Sequence, residues 1–244
     1  MRNISLIVSY DGTNYHGWQC QPELRTVQQT VQERIEKIVN HQIKLFAGAR
    51  TDSGVHAYGQ RINFFTDSNI ELIGLIRGLN SVLPEDIRII DIAEVSDDFH
   101  SRYSSKSKIY TYSILNSSYN SPFYTRYVWH LPYALDVASM NCAIGSLRGS
   151  HDFSAFKKKD SLYQSPVREI LRAGVRRRAD FVYIVIEGTG FLRYMVRNIV
   201  GTLMLVGTGK LTENDFRIIL KSEDRNLAGP TAPARGLFLR IIKY

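Results

Sequence analysis

A glycine-punctuated segment, AGARTDSGVHAYGQ at residues 47–60, carries Arg50 and Asp52 two positions apart at its centre. Strand-like apolar runs flank it at 43–46 and 62–65. Gly48, Gly54 and Gly59 allow turns that other residues resist, so the segment can present a carboxylate at a fixed place. A guanidinium in contact with Asp52 favours the ionised carboxylate. Held in that form, it can act as a nucleophile or a base. The same residues also fit a polar turn with a surface ion pair, which is common and worth little.

Arg197 is the second candidate. It interrupts a stretch, 191–206, that is apolar nearly all round and so predicts a buried helix. A buried guanidinium is costly unless a carboxylate or several acceptors meet it. Asp52 is the obvious partner, with Glu187 and Asp215 as alternatives. Tyr110 and Tyr112, in KSKIYTYSI, fall on one face of a predicted strand. The densest basic runs, 157–159 and 176–178, fit a solvated face as well as phosphate contacts. Two glycine patterns mislead. Gly207-Thr208-Gly209-Lys210 ends like a P-loop but has Met204 at the first glycine position, Leu211 at the Ser/Thr position, and a helix before it. Gly188-Thr189-Gly190 starts a dinucleotide fingerprint that Arg193 breaks. The six histidines show no zinc-ligand spacing, so no metal is expected.

The elements that must position these residues follow from periodicity and turn signals. Strands are predicted at 4–10, 42–47, 60–66 and 87–95, with helices at 27–39 and 70–82. Asn69 and Pro84 read as the start and stop signals of the second helix. The order β-α-β-β-α-β is that of the ferredoxin-like split unit. It recurs in the second half: a strand at 106–115, a helix at 135–147 with Asp136 near its first turn, and a hairpin of 167–176 and 181–187. The helices 191–206 and 213–221 and a last strand at 237–242 complete it. The fold class is therefore α/β of the α+β type. Two similar ferredoxin-like, RRM-like halves, 1–104 and 105–244, form a mixed, mainly antiparallel sheet with helices. A cleft between the halves is the expected active site.

Composition narrows the partners. Lys and Arg total 31 against 23 Asp and Glu, a formal net charge of +8 that suits a polyanion. Fourteen tyrosines add aromatic faces on which unpaired bases can stack. Cys20 and Cys142 lie far apart without CxxC spacing, which predicts no disulfide framework and fits a reducing cytoplasm. No signal-peptide pattern opens the chain, and no apolar stretch is long enough to span a bilayer. A cytoplasmic protein without a membrane partner is expected.

ARTDSGVHAYGQ resembles the catalytic loop of the TruA-type pseudouridine synthases. The likeness continues in VSYDGTNYHGWQCQ, DDFHSRYSSKSKIYTY, HDFSAF, SPVREI, GTGFLRYMVRNIVGTLMLVGTGK and AGPTAPARGLFL. These blocks run in the family's order over nearly the whole length. Many bacterial members have glycine where this chain has Ala49 and alanine where it has Ser53; the eukaryotic branch also has alanine before the arginine.

The resemblance implies conversion of uridine to pseudouridine at positions 38, 39 and 40 of the tRNA anticodon arm, by a homodimer with no cofactor and no metal. It implies that Asp52 is the catalytic carboxylate and that Arg197, in MVRN, pairs with it. By the same resemblance Tyr110, the first tyrosine of YxY, packs on the target base, and Arg50 helps extrude and hold the nucleotide. Two readings compete: an RNA-binding protein of this fold without chemistry, and a metal-dependent RNA hydrolase using Asp11, Asp52 and a histidine.

Overall fold

The computed structural model describes residues 1–159 and 165–244. The chain divides into two units, Met1–Lys106 with Phe238–Tyr244, and Ser107–Leu237.

The first unit runs β1 (Arg2–Tyr10), α1 (Val27–Val39), β2 (Phe46–Ala47), β3 (His56–Thr66), α2 (Leu72–Val82) and β4 (Ile87–Val95). Strand β1 lies between β3 and β4, antiparallel to both, and β2 pairs antiparallel with the other side of β3. The order β4-β1-β3-β2 is the split unit expected from the sequence. Ile4, Leu6 and Val8 of β1 are wholly buried, as a central strand requires. Helix α1 starts where the Thr26 side chain accepts a hydrogen bond from the Gln29 amide, and ends at Asn40 in the left-handed region. Its buried face is Val27, Val31, Ile35 and Val39, and it packs beside α2.

The second unit runs β5 (Ser107–Leu115), β6 (Trp129–His130), α3 (Val137–Gly145), β7 (Gly149–Asp152), β8 (Val167–Arg178), β9 (Phe181–Gly188), α4 (Met195–Gly207) and α5 (Glu213–Ser222). Its strands are ordered β5-β9-β8-β7, all antiparallel neighbours, with β6 added parallel to β5. The series β5-β9-β8 repeats β1-β3-β2 of the first unit, with α3 and α4 in the places of α1 and α2. This is the internal duplication that the order of predicted elements suggested.

The final strand, β10 (Leu237–Lys243), departs from the expected halves. From Phe238 onward it groups with the first unit, pairing parallel to β3 through Phe238–His56 and Leu239–Ala57. Boundaries differ too. Strand β2 keeps only two residues, and β3 begins at His56 rather than 60, because Gly59 is an in-strand glycine against Arg240. Helix α2 begins after Glu71, not Asn69, and α4 begins four residues late, because Tyr194 is left-handed at φ +66°. Among the described residues no helix is long and apolar enough to cross a membrane, and Cys20 and Cys142 are exposed free thiols.

Candidate active site

The Asp52 loop, between β2 and β3, is built from three directions within the first unit. Gln60, wholly buried on β3, clamps its entry: the Gln60 amide donates to the Ala49 carbonyl at 2.7 Å, and its oxygen accepts from the Ala49 N–H at 3.2 Å. The second support is the segment after β1. Thr51 O accepts from the Trp18 amide at 3.1 Å, and Tyr15 O accepts from the Gly54 amide and the Ser53 hydroxyl, each at 3.2 Å. Tyr15 and Trp18 are almost fully buried, so this segment is core rather than a loose arm. The Tyr10 hydroxyl meets Thr51 Oγ1 at 2.7 Å; burial pushes its pKa well up, with the bonds to Thr51 and Gln60 pulling the other way. Close backbone approach explains two glycines. A Cβ on Gly12 would lie 2.0 Å from the Val55 carbonyl oxygen, and Gly17, at φ +91°, lies against Thr51. The third support is the chain end, since Gly48 abuts Ile242, Tyr244 and Ser101.

Held in this way, Thr51 points inward and is buried, Asp52 is half-buried, and Arg50 is exposed. Arg50 forms no salt bridge among the described residues, so the Arg50–Asp52 pairing that their spacing allows is not made. Within the loop the Val55 amide donates to Asp52 O at 3.1 Å, a turn that fixes the backbone carrying the carboxylate. Beside it, the buried His56 places Nδ1 3.0 Å from an Asp11 carboxylate oxygen and 3.1 Å from the Gly12 amide.

In the second unit Tyr110 of β5 is buried, its ring edge-on to Phe191 at 5.0 Å. Tyr112 is also buried, and its hydroxyl donates to Pro233 O at 2.7 Å. Burial raises the Tyr112 pKa, opposed by the charges of Arg197 and Arg235. This bonding supports a structural role for Tyr112. Arg197 leaves the first turn of α4, with Nε donating to Ala232 O at 2.8 Å and the guanidinium 4.9 Å from the centre of the Tyr194 ring. Of the two other acids weighed as its partners, Asp215 closes the capping box of α5 with Thr212, which holds its carboxyl below the usual range. Glu187 accepts from the Ser107 hydroxyl at 2.8 Å.

Two residues near Arg197 in the chain escape a search for chemistry. Asn198, wholly buried, donates to Phe156 O and Lys157 O and accepts from Thr231 and Arg225. It thereby ties HDFSAF and AGPTAPARG to α4. An asparagine within an apolar run was the visible signal. Tyr194 is the other, and its left-handed backbone has no mark in the residue type. Lys158, Arg193 and Arg197 all lie within 6 Å of its ring, at 5.9, 5.4 and 4.9 Å. The misleading glycines are also accounted for: Gly207 ends α4 against Met140, and Gly209 follows at φ +72°, a helix terminus and not a phosphate loop.

A family model described as tRNA pseudouridine synthase matches residues 6–104 and 143–244, which include Asp52 and Arg197. The chain belongs to this family. It is 47% identical to the tRNA pseudouridine synthase A of Thermoanaerobacter sp. (strain X514) over 244 residues, all of both chains. It is 44% identical, again over all of both, to that of Acetivibrio thermocellus. To that of Streptococcus mutans serotype c it is 40% identical, covering 98% of this chain and 97% of the relative. The family's two matched blocks contain the loop of the first unit and, in the second, α4 with its packing segments. Of the four residues singled out from the sequence, Arg50 and Asp52 lie in the first unit and Tyr110 and Arg197 in the second, with Tyr110 between the two matched stretches.

Proposed function

We propose that this chain converts uridine to pseudouridine at positions 38, 39 and 40 of the tRNA anticodon arm, with Asp52 as the essential carboxylate. The observation that carries the reading is a full-length match to the tRNA pseudouridine synthases combined with an aspartate on a loop braced by Gln60, Trp18 and Tyr15. Such bracing holds a reacting group in place before substrate arrives, which lowers the barrier.

The reaction breaks the N1–C1′ bond, turns the detached uracil and rejoins C1′ to C5. C5 loses a proton and N1 gains one, so no atom is gained or lost overall and no cofactor is called for. Asp52 acts either by attacking C1′ or by removing the 2′ proton to give a glycal-like intermediate; both need it ionised. Arg197 pairs with Asp52 and keeps it charged and oriented. The guanidinium is anchored through its Nε, which donates to Ala232 O. Tyr110 packs on the uracil while it turns. Arg50, exposed beside Asp52, holds the extruded nucleotide. Extrusion costs a few kcal/mol, offset by stacking and phosphate contacts. The protein acts as a homodimer gripping one RNA across both subunits, and needs no metal.

Position-resolved pseudouridine mapping on an unmodified tRNA, with EDTA present, tests this reading. Wild type is expected to modify 38–40, whereas Asp52→Asn leaves them as uridine while binding tRNA within a few fold. A folded wild type that binds several such tRNAs and modifies none would make this an RNA-binding protein. An active Asp52→Asn variant would remove Asp52 from the chemistry.

A further inference from the structure

Three aromatic rings of the first unit form a row beside the origin of the Asp52 loop. Phe46, on β2, stands 4.6 Å from His100, and His100 stands 4.4 Å from Tyr103, ring centre to ring centre. A cation lies over each end: Lys44 Nζ is 5.4 Å from the Phe46 ring, and the Arg102 guanidinium is 5.4 Å from the Tyr103 ring. The row runs from half-buried to open, ending on Tyr103, which is 74% exposed.

The turn that carries it is stiff. The His100 amide donates to Ser104 Oγ, Ser104 N–H to His100 O, Arg102 N–H to His100 Nδ1, and the Ser105 hydroxyl to Arg102 O, at 2.9–3.1 Å. Its position is fixed against the loop, because Ser101 O lies 3.0 Å from where a Gly48 Cβ would stand and accepts from the Tyr244 hydroxyl at 2.7 Å. Asp52 follows Gly48 by four residues.

A packing role does not account for Tyr103, whose ring is left in water. An exposed ring next to fixed rings and flanked by cations matches a nucleotide: a base face for the tyrosine and phosphates for Lys44 and Arg102. We propose that the Phe46–His100–Tyr103 row is a stacking platform for an unpaired base of the substrate RNA other than the target uridine, with Lys44 and Arg102 on its flanking phosphates. This rests on the RNA-modifying reading of the Asp52 site.

The experiment measures binding of unmodified tRNA by fluorescence anisotropy over a salt series, alongside pseudouridine yield at saturating tRNA. Tyr103→Ala is expected to weaken binding about fivefold or more, the loss of one stacked base, with the saturated rate unchanged. Tyr103→Phe should bind within about twofold of wild type. The slope of log affinity against log salt should stay the same in Tyr103→Ala, and become shallower by about one in Arg102→Gln. If Tyr103→Ala binds like wild type while pseudouridine still forms, the platform is wrong and the Asp52 reading stands. A change in sedimentation of Tyr103→Ala without loss of RNA binding would assign the row to a contact with a second copy, and would also overturn it. If wild type forms no pseudouridine yet Tyr103→Ala still loses RNA, the platform survives and the Asp52 reading fails.

Discussion

Tyr194 combines a backbone cost with a side-chain use. A non-glycine residue in the left-handed region gives up roughly 1–2 kcal/mol, and here the chain does so at φ +66° immediately before α4. That geometry places the ring 4.9 Å from the guanidinium of Arg197. Strain kept beside the side chain proposed to hold Asp52 ionised leads to the prediction that the ring positions it. Two variants separate the effects. Tyr194→Ala keeps the strain and loses the ring, whereas Tyr194→Gly loses both. Tyr194→Gly should therefore melt higher than Tyr194→Ala by the equivalent of about 1 kcal/mol, while both lose pseudouridine-forming activity alike, about tenfold. An unimpaired Tyr194→Gly enzyme would show that the ring does nothing for Arg197. At this scale Arg197 stands out in the sequence, because an arginine in an apolar run requires an explanation, and in the structure its Nε finds the Ala232 carbonyl. Tyr194 does not stand out, since the sign of φ is set by how the chain enters the helix. The clamp that Gln60 places on Ala49 was hidden for a similar reason: a glutamine in a strand has no signature until its partner is known.

Helix α4 carries Arg197, and its glycines are not equivalent to others. A Cβ on Gly201 would stand 1.6 Å from the Pro230 carbonyl oxygen, so Gly201→Ala must separate α4 from the 228–233 segment that also supplies Ala232 to Arg197. Its expected cost is about 3 kcal/mol, with activity falling along with stability. Gly145, the last residue of α3, has nothing within 4 Å of the same notional carbon. Gly145→Ala should raise stability by up to about 1 kcal/mol through helix propensity alone. Thermal melts of the two variants check both signs. Periodicity was sufficient where an element carries its own signals. Helix α1 matches its predicted limits because Thr26 and Asn40 cap an i, i+3, i+4 apolar face, and β4 matches because its alternating run ends in turns. Strands β6 and β7 had no such signals: they are two and four residues long and exist by pairing with β5 and β8.

On the scale of the whole molecule, the sequence indicated a duplicated α+β fold but not which unit the last strand completes. Nothing in LFLRIIK distinguishes the two; the answer lies in Phe238, which stacks on His56 at 4.6 Å and Tyr58 at 5.0 Å. A chain ending at Leu237 removes Phe238, Leu239 and Ile242 from the buried set. Each such loss costs about 2–5 kcal/mol, against a total stability of roughly 5–15 kcal/mol. Hydrogen exchange should then show the β3 amides unprotected, and retained protection would mean that β10 is dispensable. The same arrangement has a consequence for the order in which the protein is made. Domains commonly fold as the ribosome releases them, amino-terminal first. Here Ser107–Leu237 is translated in full while Met1–Lys106 still lacks its closing strand, so the unit begun first is the one finished last.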